Sequence, residues 1–214
     1  MQVRCPSSYD PVNVFTHTSS KVSAAYKTLF MLGALDSNRQ LTPIGRQMNN
    51  FPLEPPYARA LLASVKYACT QEVLAIISVL SSSSKLFFDT SDGDQREAAY
   101  EARTKFRHSS GDHMTALAAF RAYEGLVVED ESRGARKEWC RKHFVNERTL
   151  SEAIDIQKQL RGICDKQKID WRVSCGADFE RVLKSLLDGL AQHVALLKAG
   201  SYKQVIGSGV CSHS

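Results

Sequence analysis

The sequence predicts a mainly α-helical fold, and three observations support this prediction. Apolar residues recur at intervals of three and four from Leu150 to Ile163 and again from Phe179 to Leu197, which is the period of an amphipathic helix. Thr42-Pro43 places an N-cap residue before a proline at the first helical position. The 214 residues are 43% hydrophobic, so the chain can bury the core of one large domain or two small ones.

The N-terminal quarter predicts a small winged-helix unit. Met1–Ser20 is rich in Ser, Pro and Thr without periodicity, so we expect a disordered segment there. A helix with a broad apolar face is predicted from Lys21 to about Leu35, followed by a turn at 36–38, a strand-like link and the short helix after Thr42. Helix, turn, link and helix in this order are typical of a winged-helix unit with a minor β wing.

The middle of the chain predicts further helices. A proline-rich elbow at 51–56 precedes one helix, and Thr70 is expected to cap the next, whose apolar residues on nearly every side indicate a central position. Ser91 or Asp92 is expected to cap a helix from Gln95 to Phe106. That helix is basic. Arg96, Arg103 and Lys105 lie within it, and Arg107 follows its end.

The segment 133–148 is predicted to be a basic connector between two helices. It carries six cations against Glu138 and Glu147, and Trp139 and Phe144 interrupt the charges. Such a surface can meet a phosphate backbone by counterion release and stacking. Alternatively, the aromatic residues are core anchors and the charges a solvated face, which is the more common arrangement. Thr149 and Glu152 form a capping box, so the next helix is expected to begin at Leu150.

The last helix is expected to run from Phe179 to Leu197 and to stop at Gly200. The tail, 201–214, has an extended pattern around Tyr202 and Val205 and then changes to Gly, Ser and His. We expect the start of a strand with no sheet to join.

Charge and cysteine usage limit the class of protein. The net charge of +5 and the pI near 8.9 permit an anionic partner such as RNA without requiring one. Six cysteines occur without short pairings, no secretory leader is evident, and no apolar run approaches the roughly 20 residues of a membrane span. These features predict an intracellular, reducing compartment and no membrane partner.

Four segments resemble the C-terminal region of DEAH-box RNA helicases, in the order and near the spacing of that family. They are LGALDSNRQLTPIGRQMNNFPLEP (32–55), SGDHMTAL (110–117), EWCRKHFVNERTL (138–150) and GSYKQV (200–205). The resemblance implies a winged-helix domain at 21–68, a helical-bundle, ratchet-like helicase-associated domain at 69–200, and the truncated start of an oligonucleotide-binding (OB) fold, or a disordered tail, at 201–214.

The chain departs from complete members of that family. It has no GxxxxGK[ST] phosphate loop, and its acidic run at 129–132 is not a DEAH motif. The resemblance implies ATP and Mg²⁺ as cofactors of an intact relative, acting in ribosome assembly or splicing in the nucleus or nucleolus. In this chain we expect no cofactor, no resident metal and no ATP turnover.

The resemblance and the basic segment together identify candidate RNA-binding residues. Arg141, Lys142 and Arg148 are the first choice, and Arg103 and Lys105 the second. Arg148 can equally bond carboxylates or helix-end carbonyls within the bundle.

Three further predictions concern packing residues and a partner. Asp112 and His113 are expected to be helix-start and packing residues rather than catalytic ones. Cys140 and His143 have a spacing found in zinc sites but lack a second ligand pair, so a structural cysteine is expected. The resemblance also implies a possible protein partner, because a glycine-rich (G-patch) activator docks on the winged helix of some relatives.

Overall fold

The chain divides into two units between Asn49 and Asn50. A computed structural model describes residues 11–88, 93–129, 131–198, 201–205 and 210–211. The helices are α1 (Pro11–Met31), α2 (Pro43–Met48), α3 (Pro55–Tyr67), α4 (Thr70–Leu80), α5 (Gly93–Thr104), α6 (Asp112–Val128), α7 (Arg133–Lys142), α8 (Glu147–Lys166) and α9 (Phe179–Leu190). The strands are β1 (Ala195–Lys198), β2 (Ser201–Gln204) and β3 (Val210–Cys211). The predicted mainly α-helical fold is confirmed.

The first unit contains α1 and α2, and α2 begins as the sequence predicts. Thr42 is the N-cap: its side-chain oxygen accepts from the Gly45 amide at 3.0 Å and donates to the Gly33 carbonyl at 2.6 Å. Pro43 occupies the first turn. A Cβ on Gly45 would collide with the Ala34 carbonyl oxygen, so the close approach of these two backbones requires glycine.

Helix α1 is longer than the sequence predicts. It begins at Pro11, so the expectation of a disordered segment is wrong for residues 11–20, while Met1–Asp10 lie outside the described residues. The predicted apolar face of α1 is only partly buried. Leu32, just past the helix end, is 5% exposed, whereas Val22, Tyr26 and Phe30 are 46%, 43% and 54% exposed. These three residues, spaced by four, are called the α1 stripe below.

The division at Asn49 falls well before the boundary predicted at Ala68. Helix α3, which we assigned to the winged-helix unit, packs along α9 and therefore belongs to the second unit. Gly189 of α9 lies against the Pro56 carbonyl oxygen and Ala60 of α3. The Ser185 hydroxyl, also on α9, donates to the Ala60 carbonyl at 2.8 Å. This packing joins helices that are far apart in sequence.

Helix α4 is central, as predicted, and contacts α3, α6, α8 and α9. Val73, Leu74, Ile76 and Ile77 are at most 1% exposed although they occupy different sides of the helix. Thr70 does not cap it as predicted. Cys69 is the N-cap and Thr70 is the first helical residue, with 1% exposure, because the helix begins at a buried position.

A buried carboxylate on α4 fixes two other segments. Glu72 has no exposed side-chain surface and accepts hydrogen bonds from Arg121 Nη2 of α6 at 2.6 Å, Ser174 Oγ at 2.6 Å and the Cys175 amide at 3.3 Å. Burial alone would raise the pKa of the Glu72 carboxyl. The bonds from Ser174, Arg121 and Cys175 outweigh it and hold the pKa below its ordinary value of 4.5.

Helix α8 begins three residues before the predicted start at Leu150. Asn146 is its N-cap and accepts from the Arg148 and Thr149 amides at 3.1 and 3.5 Å. The predicted capping box is therefore wrong. The Thr149 hydroxyl instead donates to the Ser84 and Lys85 carbonyls. Glu152, the other member of the box, accepts from the Ser83 amide and hydroxyl. Both side chains therefore anchor the segment that follows α4.

Helix α5 is shifted from its predicted position at Gln95–Phe106, since it spans Gly93–Thr104. Its predicted caps, Ser91 and Asp92, lie outside the described residues. Helix α6 begins at Asp112 after Gly111, whose φ is +103°. The expectation that Asp112 is a helix-start residue is confirmed.

The C-terminal part differs most from the prediction. Helix α9 ends at Leu190, a 3₁₀ turn follows at Ala191–His193, and β1, β2 and β3 form an antiparallel sheet in that order. Leu197 pairs with Tyr202, so its placement in a helix was wrong, as was the expectation of a tail with no sheet. The hydrogen bonds of the β1–β2 hairpin replace those of a longer helix. The OB-fold assignment stays a prediction.

We predict that Gly189→Ala destabilises the second unit by about 1–3 kcal/mol, because the new methyl group overpacks the α3–α9 contact. Urea unfolding followed by circular dichroism measures the change. Gly162→Ala is the matched control, since a Cβ at this exposed position of α8 meets nothing within 4 Å. The control should be neutral or about 1 kcal/mol more stable. Equal stability of the two variants would contradict the packing argument.

We predict that Glu72→Gln lowers the free energy of unfolding at pH 7 by about 2–3 kcal/mol, because it removes the charge from a buried, hydrogen-bonded pair whose Arg121 partner is partly exposed. Because the folded pKa of Glu72 is depressed, this contribution is complete above the ordinary value of 4.5 and is lost as the pH falls through the folded pKa. Urea unfolding from pH 7 to pH 3 should show the two proteins converging. Asp155→Asn, at an exposed position of α8, should track the wild type, and a pH-independent difference would refute the assignment.

Candidate nucleic-acid interface

The basic segment contains a helix, so its assignment as a connector was wrong. Helix α7 spans Arg133–Lys142, and Ser132 caps it by accepting from the Ala135 amide at 3.2 Å. Lys137 and Arg141 are separated by one helical turn. They therefore lie on the same face of α7.

Trp139 is a packing residue, as the more common alternative held. Its ring lies 4.4 Å from the His143 ring, 5.8 Å from Phe106 and 6.3 Å from Tyr123, between ring centres. Cys140 beside it is 2% exposed. The ring is engaged within the protein, so it does not offer a stacking surface to a base.

The turn between α7 and α8 brings their cations together. Phe144 has a φ of +53°, and the Val145 amide donates to the Cys140 carbonyl at 3.0 Å. Val145 also forms a β-bridge with Phe87, and the Asn146 amide donates to the Leu86 carbonyl at 2.8 Å. The chain therefore reverses within a few residues and is held in place by the segment 85–88.

A groove of about 460 Å³, the α7–α8 groove, results from this reversal. Its charged lining consists of three cations and two acids: Lys137, Arg141, Arg148, Glu138 and Glu147. Phe88, which is 47% exposed, also lines it. An exposed aromatic ring among guanidinium and ammonium groups can receive a phosphodiester strand.

One ion pair limits the positive charge of the groove. Arg141 Nη2 donates to Glu138 Oε1 at 2.8 Å, and this hydrogen bond raises the pKa of Arg141. The side chains are 79% and 64% exposed, so the pair is weak and a phosphate can compete with the carboxylate for Arg141. Arg148 is exposed. Hydrogen bonds from Ser83 and, to a smaller extent, the charge of Arg148 lower the pKa of Glu152.

The structure brings together only some of the predicted RNA-binding residues. Arg141 and Arg148 line the groove, and Lys142 is exposed at the end of α7. Lys105 is exposed just after α5. Arg103 lies elsewhere: its Nη2 donates to the Phe88 carbonyl, its guanidinium lies 5.2 Å from the Phe87 ring centre, and it lines a different cavity.

Lys137 and Glu138 are among the groove residues that sequence reasoning missed. The segment that contains both was predicted to be a connector. An irregular connector gives no reason to place Lys137 beside Arg141. The helical spacing of four between Lys137 and Arg141, and of three between Glu138 and Arg141, is the signal that could have identified them.

Cys140 and His143, which have a spacing found in zinc sites, do not fit a zinc ion. Burial raises the pKa of the Cys140 thiol to about 12, and His143 stacks on Trp139, so this pair is not suited to bind zinc. Within the described residues, no group of three or more His, Cys, Asp or Glu side chains could hold a metal ion. The sequence contains neither a GxxxxGK[ST] phosphate loop nor a DEAH motif.

Family comparison agrees with the division of the chain. Residues 25–53 match the winged-helix helicase-associated domain (HA2), and residues 54–117 match the ratchet-like helicase-associated domain (HA2). The chain carries both HA2 domains. It is homologous to the C-terminal region of DEAH-box RNA helicases. The two matches meet between residues 53 and 54, close to the structural division at Asn49.

Individual relatives show the extent of this homology. The chain is 39% identical to ATP-dependent RNA helicase DHX33 of Homo sapiens, over 85% of this chain and 25% of the relative. It is 32% identical to the Drosophila melanogaster protein of the same name, over 84% and 24%. Identity to the pre-mRNA-splicing factor ATP-dependent RNA helicase prp22 of Schizosaccharomyces pombe is 31%, over 86% and 15%. The HA2 chain thus spans about a quarter or less of these relatives.

No helix in the described part of the HA2 chain is both long and apolar enough to cross a bilayer.

Proposed function

We propose that this HA2 chain contributes RNA binding and interdomain coupling to a DEAH-box RNA helicase and does not carry out the ATPase chemistry itself. The observation that carries the proposal is the α7–α8 groove, where Lys137, Arg141 and Arg148 converge beside Phe88. Three cations can neutralise successive phosphates while an exposed ring supports a base. The Glu72 network, which ties α4 to α6 and to the segment before α9, keeps the bundle rigid enough to transmit domain movement.

The names of the relatives suggest the process. One is a pre-mRNA-splicing factor and the others are ATP-dependent RNA helicases. By this kinship we propose that an intact relative uses ATP and Mg²⁺ to remodel RNA, and that this chain serves the same process, ribosome biogenesis or pre-mRNA splicing, in the nucleus or nucleolus. The HA2 region would guide the strand while the ATPase domains move it.

We predict that changing Arg141, Lys142 and Arg148 together to Gln weakens binding of single-stranded RNA. Arg141 and Arg148 line the groove and Lys142 lies next to it at the end of α7. Loss of all three cations should reduce the slope of log affinity against log salt by about 2, at about 0.7 per phosphate contact. Fluorescence anisotropy with a labelled oligoribonucleotide across a salt series measures both quantities. The matched control changes three exposed cations outside the groove, Lys158, Lys166 and Lys168, to Gln. An equal loss in both triple variants would show a general charge effect and would refute a specific surface.

We predict the opposite sign for Glu138→Gln. Removing the carboxylate that holds Arg141 at 2.8 Å frees the guanidinium and makes the groove more positive, so affinity for the same RNA should rise by several fold at low salt. The anisotropy assay above measures it. Affinity unchanged or lowered in this variant would argue that phosphate does not reach Arg141.

A second candidate function is a protein-interaction scaffold, and the α1 stripe favours it. Val22, Tyr26 and Phe30 expose apolar surface along one side of α1, and the guanidinium of Arg39 lies 5.4 Å from the Tyr26 ring centre. An apolar stripe of this spacing suits an amphipathic helix. The partner proposed from the family resemblance is a glycine-rich (G-patch) helicase activator.

We predict that Tyr26→Glu with Phe30→Glu abolishes binding of the apolar helix of such an activator, because charges would face apolar groups. Isothermal titration calorimetry with the activator peptide measures it. Binding to the unchanged chain should tolerate salt, and the Arg141, Lys142 and Arg148 variant should bind normally. Loss of peptide binding in that variant, or its retention in the Glu variant, would exclude the α1 stripe as the docking surface.

A further inference from the structure

A second cavity of about 520 Å³ lies next to the α7–α8 groove. The segment 85–88 separates the two. It is extended at the Phe87–Val145 bridge, where consecutive side chains point to opposite sides. Accordingly Phe87 lines the second cavity, called the Tyr100 pocket here, while Phe88 lines the groove. One short segment therefore presents an aromatic ring to each cavity.

The charged lining of the Tyr100 pocket is positive. Lys85, Arg103 and Arg107 line it, against the single acid Asp112. Arg103 is held in place, because its guanidinium bonds the Phe88 carbonyl and lies over the Phe87 ring. Lys85 and Arg107 are exposed. The pocket thus offers three cations, two of them exposed, and this arrangement suits a phosphate group.

Tyr100 supplies a stacking surface in the same pocket. Its side chain belongs to α5 and is 62% exposed. The hydroxyl accepts a hydrogen bond from Arg107 Nη1 at 3.0 Å, which orients the ring and holds Arg107 next to it. A solvent-exposed ring beside a guanidinium is the pairing that binds a nucleotide, with the base on the ring and the phosphate on the cation.

We infer that the Tyr100 pocket binds one nucleotide of the RNA strand that occupies the α7–α8 groove. The base stacks on Tyr100 and its phosphate lies at Arg107 and Lys85. The strand crosses the segment 85–88, so Phe87 and Phe88 lie beneath it on either side. This inference rests on the proposed RNA-binding function, and it adds a base-stacking subsite to a surface otherwise defined by phosphate contacts.

The test compares Tyr100→Ala with Tyr100→Phe in anisotropy binding of labelled oligoadenylate. Loss of the ring should weaken binding about tenfold without changing the salt slope, since stacking does not release counterions. Tyr100→Phe keeps the ring and should bind within twofold of the wild type. Arg107→Gln should reduce the salt slope by about 0.7. Because Tyr100 is mostly exposed, its variants should keep the wild-type circular dichroism spectrum.

A second readout locates the base directly. Photo-cross-linking of an oligoribonucleotide carrying 5-iodouridine, followed by mass spectrometry, should place the adduct on Tyr100 in the wild-type chain. Competition with adenosine monophosphate distinguishes a strand from a free nucleotide. If the mononucleotide binds as tightly as the oligonucleotide, the pocket serves a free nucleotide and the strand path is wrong.

The outcomes separate the two proposals. If Tyr100→Ala binds RNA as tightly as the wild type while the Arg141, Lys142 and Arg148 variant loses binding, the groove stands and the Tyr100 subsite is refuted. If the folded wild-type chain binds no oligoadenylate at low salt, the proposed function and this inference fall together.

Discussion

The buried carboxylate of Glu72 is the interaction on which the second unit depends. A charge without exposed surface persists in a folded protein only when hydrogen bonds replace its hydration. Here Arg121 supplies one bond from α6, and Ser174 and Cys175 supply two from the segment that leads to α9. Helix α4 therefore fixes the position of α6 and the entry to α9 through a single side chain, and the α3–α9 contact is built on that entry.

The segment 85–88 is likewise held in place by bonds from distant parts of the chain. Thr149 bonds the Ser84 and Lys85 carbonyls, and Glu152 anchors Ser83 just before them. Val145 and Asn146 bond the same segment from the α7–α8 turn. Neither cavity would have its shape without these bonds, because each uses a ring from this segment as a wall. The candidate RNA surface is thus created by backbone pairing between distant parts of the sequence, and the cations are then presented by the helix ends.

The sequence predicted elements whose signals are local and missed those decided by distant contacts. Thr42 caps α2 because its acceptor and the Gly45 amide are three residues apart. Asn146 and Thr149 are both capable caps, and contacts of Thr149 with Ser84 and Lys85 decided between them. Leu196 and Leu197 are compatible with a helix or a strand, and their pairing with β2 stabilises the strand. Arg141 and Arg148 line the same groove because Phe144 adopts a positive φ in the turn between their helices. The sequence has no glycine at this position to indicate such a turn.

The two tryptophans of this chain occupy contrasting surroundings. Trp139 lies among aromatic rings beside the α7–α8 groove. The guanidinium groups of Arg161 and Arg172 lie 4.6 and 4.1 Å from the ring centre of Trp171, and its indole nitrogen donates to Asp165. Adjacent cations perturb the excited state of an indole in a way that aromatic neighbours do not. The chain therefore carries two intrinsic optical probes, one beside the α7–α8 groove and one at the end of α8.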